Sequence, residues 1–131
     1  MQDEKAVVIC GDVKTVVICD DEPMLRELVR ASLDASYRFA EASDGIVALE
    51  LIRELEPDAV TLDLMLPLRS GIDVLAELRS DERLRDIPVL VVSAWPEKRE
   101  EALEAGAWGF VTKPFDPDEL KRCMEGLLAA R

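Results

Sequence analysis

Four short apolar runs, each stopping at a polar or charged residue, constrain this chain more than any other feature. VVIC ends at Asp20-Asp21, AVTL at Asp63, VLVV at Ser93, and WGFV at Thr112-Lys113. The segments between these runs carry apolar residues at helical spacing. Short continuous apolar runs alternating with helices read as parallel strands buried on both faces. Strands that point the same way bring Asp20, Asp21, Asp63, Ser93 and Lys113 to one edge of one sheet. In open α/β sheets that carboxyl edge is where ligands bind. Three carboxylates, a hydroxyl and an ammonium around a small cleft suit a divalent cation and a phosphoryl group.

The spacing predicts five strands and five helices in strict alternation. Thr15–Cys19 is the first core strand. The helix after it opens on Pro23 and has Met24, Leu25, Leu28, Val29 and Leu33 on its apolar face. Tyr37–Ala40 is a weaker strand. Ser43 is placed to cap a second helix with Ile46, Leu49, Ile52 and Leu55 inward, which Pro57 stops. Ala59–Leu62 is followed by a loop, then by a helix from about Gly71 to Ser80 with Ile72, Leu75 and Leu78 inward. Val89–Val92, a polar helix over Glu97–Ala105 and the strand Trp108–Thr112 come next. Asp116-Pro117-Asp118-Glu119 then combines a cap, an N1 proline and an acidic first turn. Its inner face is Leu120, Cys123 or Met124, and Leu127. Right-handed crossovers make this a doubly wound α/β sheet.

A chain of 131 residues is long enough for one domain with a real core. Residues 1–13 stand apart as an N-terminal extension, with 14–131 as the domain. Val7–Asp12 nearly repeats Val16–Asp21, but no helix signal follows the first copy. That copy is compatible with an extra edge strand, a swapped arm or a disordered tail. The net charge of −12 repels nucleic-acid phosphates, which argues against direct DNA binding by this chain. Histidine is absent, so serine–histidine and cysteine–histidine catalysis are excluded, as is a phosphohistidine on the chain itself. Cys10, Cys19 and Cys123 lack metal-type spacing and read as reduced thiols in a cytoplasmic protein. There is no membrane-length apolar run and no signal-peptide pattern.

VVICDDEPMLR (16–26), TLDLMLPLRSG (61–71), VLVVSA (89–94) and GAWGFVTKPF (106–115), in this order, resemble the receiver domain of bacterial two-component response regulators of the chemotaxis-regulator type. The resemblance implies a flavodoxin-like sheet of strand order 2-1-3-4-5. It implies that Mg2+ is held by Asp21, Asp63 and the backbone carbonyl of Met65, with Asp20 acting through water. Asp63 becomes the phosphoacceptor, served by a sensor histidine kinase or a phosphotransfer protein, while Ser93 and Lys113 receive the phosphoryl oxygens. A cis bond between Lys113 and Pro114 aims the lysine inward. Ser93 and Phe110 form the switch, and a downstream partner reads the face made by the fourth helix, fifth strand and fifth helix.

Trp108-Gly109 stands where the winged-helix subfamily has paired acids, so Arg122 lacks that partner and a monomer or weak dimer is expected. Met65 and Trp95 flank the cleft, where they bear on water access. Haloacid-dehalogenase-type phosphatases need a second acid two residues after the nucleophile, where Met65 stands. A flavodoxin-type carrier is opposed by the acidic loop after the first strand. The remaining alternative is a receiver-fold interaction module that works without phosphorylation.

Overall fold

The computed structural model of the chain describes residues 13–33 and 36–130. The elements run β1 (Lys14–Cys19), α1 (Pro23–Leu33), β2 (Tyr37–Ala42), α2 (Gly45–Leu55), β3 (Ala59–Leu62), α3 (Gly71–Arg79), β4 (Val89–Ser93), α4 (Arg99–Glu104), β5 (Gly109–Thr112) and α5 (Pro117–Ala130). All strand pairs are parallel, in the order β2-β1-β3-β4-β5. This is the expected flavodoxin-like architecture. The repeat copy within residues 1–12 lies outside the described residues.

Alternation along the strands divides the core into two layers. Val16 and Ile18 of β1 pack with Val29 and Leu33 of α1 and with Leu120 and Met124 of α5. Val17 and Cys19 face the other way, toward Leu49 and Ile52 of α2 and Leu75 and Leu78 of α3. Both faces of β1, β3 and β4 are thereby covered, and this explains their unbroken apolar runs. No helix among the described residues is long and apolar enough to cross a membrane.

Several local expectations change. The buried stripe of α1 is Leu25, Val29 and Leu33 at i, i+4 and i+8, with Leu25 only half-buried. Met24 and Leu28 therefore lie on its flank, and Met24 is 82% exposed. In α2 the stripe passes through Gly45, Ala48, Leu49 and Ile52, leaving Ile46 and Leu55 exposed. Asp44 rather than Ser43 caps α2, accepting the Val47 N–H at 2.8 Å. The helix expected over Glu97–Ala105 splits into a 3-10 turn at Pro96–Lys98 and the short α4. Between Ser80 and Pro88 the chain turns rather than forming an element, yet Leu84 and Ile87 bury their side chains there.

Candidate functional site

Register places the strand ends side by side. Cys19 pairs with Leu62 and Ser93 with Thr112, so the residues that follow, Asp20 with Asp63 and Ala94 with Lys113, emerge together at the carboxyl edge. Asp63 N–H donates to the Cys19 carbonyl at 3.0 Å, and Lys113 N–H to the Ser93 carbonyl at 2.8 Å. These bonds carry the ladder one residue past the strands, into the site itself.

Asp20 is 4% exposed and Asp63 6%. The Lys113 ammonium sits between them, donating to Asp20 Oδ2 at 2.8 Å and to Asp63 Oδ2 at 3.2 Å. Asp20 Oδ1 accepts the Glu22 N–H at 3.0 Å, and Asp63 Oδ1 accepts the Met65 N–H at 3.1 Å. Asp21 is exposed. One carboxylate oxygen from each of Asp20, Asp21 and Asp63 lies within 4.8 Å of the others. The Lys113–Pro114 peptide bond is cis.

Asp21 and Asp63 open onto a cleft of about 340 Å³ lined also by Glu22, Met65, Ala94, Trp95 and Lys113. Met65 and Trp95 form its apolar rim, 57% and 45% exposed. Asp20 and Ser93 stand behind this wall and do not line it. Ser93 is fully buried, with its Oγ accepting the Trp95 N–H at 3.1 Å. Phe110 is half-buried and packs toward the layer under α2 and α3. Trp108 precedes β5, partly exposed, with its N–H donating to the Val89 carbonyl at 2.9 Å.

Charge dominates this pocket. Three carboxylates face one ammonium, and two like charges 4 Å apart repel by about 4 kcal/mol at an effective dielectric near 20. Burial works to lower the Lys113 pKa. The hydrogen bond to Asp20 and the charge of Asp63 oppose it, and the net shift is upward. Lys113 therefore remains a cation. Burial, and then the charge of Asp20, push the adjacent Cys19 thiol well up, so this cysteine is an inert core residue. The donor set is all oxygen and anionic, which fits a hard divalent cation such as Mg2+.

The backbone fits around the site closely. A Cβ on Gly71, the first residue of α3, would lie 2.5 Å from the Asp63 carbonyl oxygen and 2.6 Å from the Leu64 Cα. Only glycine lets α3 begin this near the strand-end aspartate. Two features escaped the sequence reading. Arg26 donates to the Asp20 carbonyl at 2.8 Å and to Glu41 at 2.8 Å. Glu22 lines the cleft mouth. Neither carries a sequence signal beyond its proximity to Asp20-Asp21.

Comparison with known proteins agrees with this geometry. The response regulator receiver domain family matches residues 16–125. The chain is 40% identical over 116 residues to the DNA-binding dual master transcriptional regulator RpaA of Synechocystis, covering 86% of this chain and 48% of that protein. It is 32% identical to the chemotaxis protein CheY of Halobacterium salinarum, covering 89% of this chain and 98% of CheY. The Francisella response regulator 1452 receiver domain superposes with a TM-score of 0.82 at 29% identity, covering 89% and 98% of the two chains. The receiver domain of the Pseudomonas aeruginosa sensor histidine kinase PA1611, solved with a magnesium ion coordinated in its active site cleft, gives 0.82 at 28%, covering 89% and 98%. The chain belongs to the response regulator receiver domain family of two-component systems. It spans about half the length of the transcriptional regulators it matches.

Proposed function

We propose that Asp63 is the phosphoacceptor of this receiver domain and that Asp20, Asp21, Asp63 and the Met65 carbonyl hold Mg2+ beside it. The observation that carries the reading is the meeting of Asp63 with Lys113 at 3.2 Å on the wall of an open cleft, with two further carboxylates close by. One Asp63 carboxylate oxygen forms the new bond to phosphorus as the P–N bond to a kinase or phosphotransfer histidine breaks. The electron pair of that bond leaves on the imidazole nitrogen. Bound Mg2+ neutralises charge on the transferring oxygens.

Lys113 holds Asp63 from the opposite side and offers its ammonium to the incoming phosphoryl oxygens. Ser93 supplies a hydroxyl once it releases the Trp95 N–H, and Phe110 fills the space that Ser93 leaves. Such a switch needs two discrete states, each favoured by a different set of contacts. The α4–β5–α5 face, where Leu103 and Trp108 are partly exposed, is the surface a downstream partner or output domain reads. The relatives that are DNA-binding regulators support an output of that kind.

Incubation with phosphoramidate and Mg2+, followed by intact-mass measurement, tests the assignment. The parent should gain one phosphoryl group, Asp63→Asn should gain none, and chelation of Mg2+ should abolish the gain. Equal incorporation in Asp63→Asn would move the acceptor elsewhere. No incorporation in the parent would favour a module that works without phosphorylation.

A further inference from the structure

We propose that Arg26, gripped by Glu41, is a positioning residue for the cation site, acting through the peptide plane between Asp20 and Asp21. The inference rests on the reading that these acids hold a divalent cation. The two backbone hydrogen-bonding groups of Asp20 are both tied to β2. Its N–H donates to the carbonyl of Ala42 at 3.0 Å. Its carbonyl accepts from the Arg26 guanidinium at 2.8 Å, and the same guanidinium donates to Glu41 Oε1 at 2.8 Å. Consecutive residues of β2 thus hold the two sides of Asp20, one directly and one through Arg26.

The peptide group is planar, so the Asp20 carbonyl and the Asp21 N–H turn together. Fixing the carbonyl fixes where the Asp21 side chain begins. Asp21 makes no hydrogen bond of its own among the described residues, so the aim of its carboxylate depends on that plane. The clamp itself is well held. The Arg26 side chain is 17% exposed, and Glu41 takes a second guanidinium, that of Arg30, at 2.6 Å.

Charge and positioning predict opposite signs here. Removing the Arg26 cation beside an acidic site should tighten cation binding if only the field matters. It should weaken binding if Arg26 aims the ligands. Residues that orient metal ligands are typically worth 10–100-fold in metal affinity.

The experiment is a Mg2+ titration of Trp95 fluorescence in a Trp108→Phe background, with melting temperature measured alongside. Arg26→Met and Glu41→Gln are each expected to raise the Mg2+ Kd about tenfold. Arg26→Lys should recover part of the loss, because an ammonium still reaches the Asp20 carbonyl. If Arg26→Met fails to fold, Arg26→Gln, which also removes the cation, takes its place, because for Glu41→Gln field and positioning predict the same sign. A parent-like or tighter Kd in Arg26→Met, with only the melting temperature lowered, would overturn the proposal. Asp21→Asn separates the two levels. If it weakens Mg2+ while Arg26→Met and Glu41→Gln do not, Arg26 has no positioning role. If it leaves the titration unchanged, the cation-site reading falls and this proposal with it.

Discussion

The two ends of the sheet solve the same problem in opposite ways. At the amino end Arg79, the last residue of α3, spreads one guanidinium over backbone carbonyls. It donates to Gly106 at 3.0 and 2.7 Å, to Arg85 at 2.8 Å and to Ile87 at 3.0 Å. That cation hydrogen-bonds to neutral carbonyls, and the single carboxylate that acts on it, Asp86, does so through space. At the carboxyl end one cation, Lys113, meets an excess of carboxylates. Burial lowers the pKa of Arg79, whereas the acids around Lys113 raise its pKa despite burial. A saturated end holds the fold together. An end left with surplus negative charge has room for a cation.

The largest effect expected from this contrast is at the saturated end. Arg79→Met keeps the aliphatic stem but strands three carbonyls, so unfolding free energy should fall by about 2–3 kcal/mol. Chemical denaturation measures this, and the Mg2+ titration should remain parent-like. An altered Mg2+ affinity would show that the two ends are not independent.

A smaller effect of opposite sign belongs to the charged end. Asp21→Asn removes repulsion without removing a hydrogen bond to any described residue. Without divalent cations its melting temperature should rise by a few degrees. Saturating Mg2+ should then stabilise the parent more than the variant. A drop in the metal-free melting temperature would mean that Asp21 is not under electrostatic strain.

The smallest effect separates the ends by pH. The hydrogen bond from Arg26 holds the Glu41 carboxyl below its ordinary pKa against an opposing burial effect, with help from Arg30. A carboxyl depressed in the folded state contributes stability above its unfolded pKa, about 4.3. The contribution disappears as pH falls through the lower folded value. Glu41→Gln should therefore show a shallower loss of stability than the parent below about pH 4.3. Arg79→Met leaves the Arg26–Glu41 bond in place and should keep the parent's Glu41-dependent loss in acid, its own hydrogen bonds being to carbonyls that do not titrate.

Much of the site was readable because its spacing is local to each strand. Asp20-Asp21, Asp63, Ser93 and Lys113 all sit where an apolar run ends, and run-ends in a parallel sheet must converge. The capping of α5 was equally local, with Asp116 accepting the Asp118 N–H at 2.8 Å. Helix facing was less readable. Met24, Leu28, Ile46 and Leu55 fit an apolar face by spacing, but adjacent flanks of a helix are both apolar there, and only packing chose between them.

The sequence by itself determined the strand order of events: buried runs, the residues that end them, and the acidic balance of the chain. Tertiary structure decided which pairs meet across long separations. Arg26 with Glu41, Arg79 with Gly106 and Lys113 with Asp20 stand 15, 27 and 93 residues apart. No local periodicity links such pairs. Arginine and lysine on exposed helices and loops look alike in sequence, and only the folded backbone brings one of them to a carbonyl and another to a carboxylate.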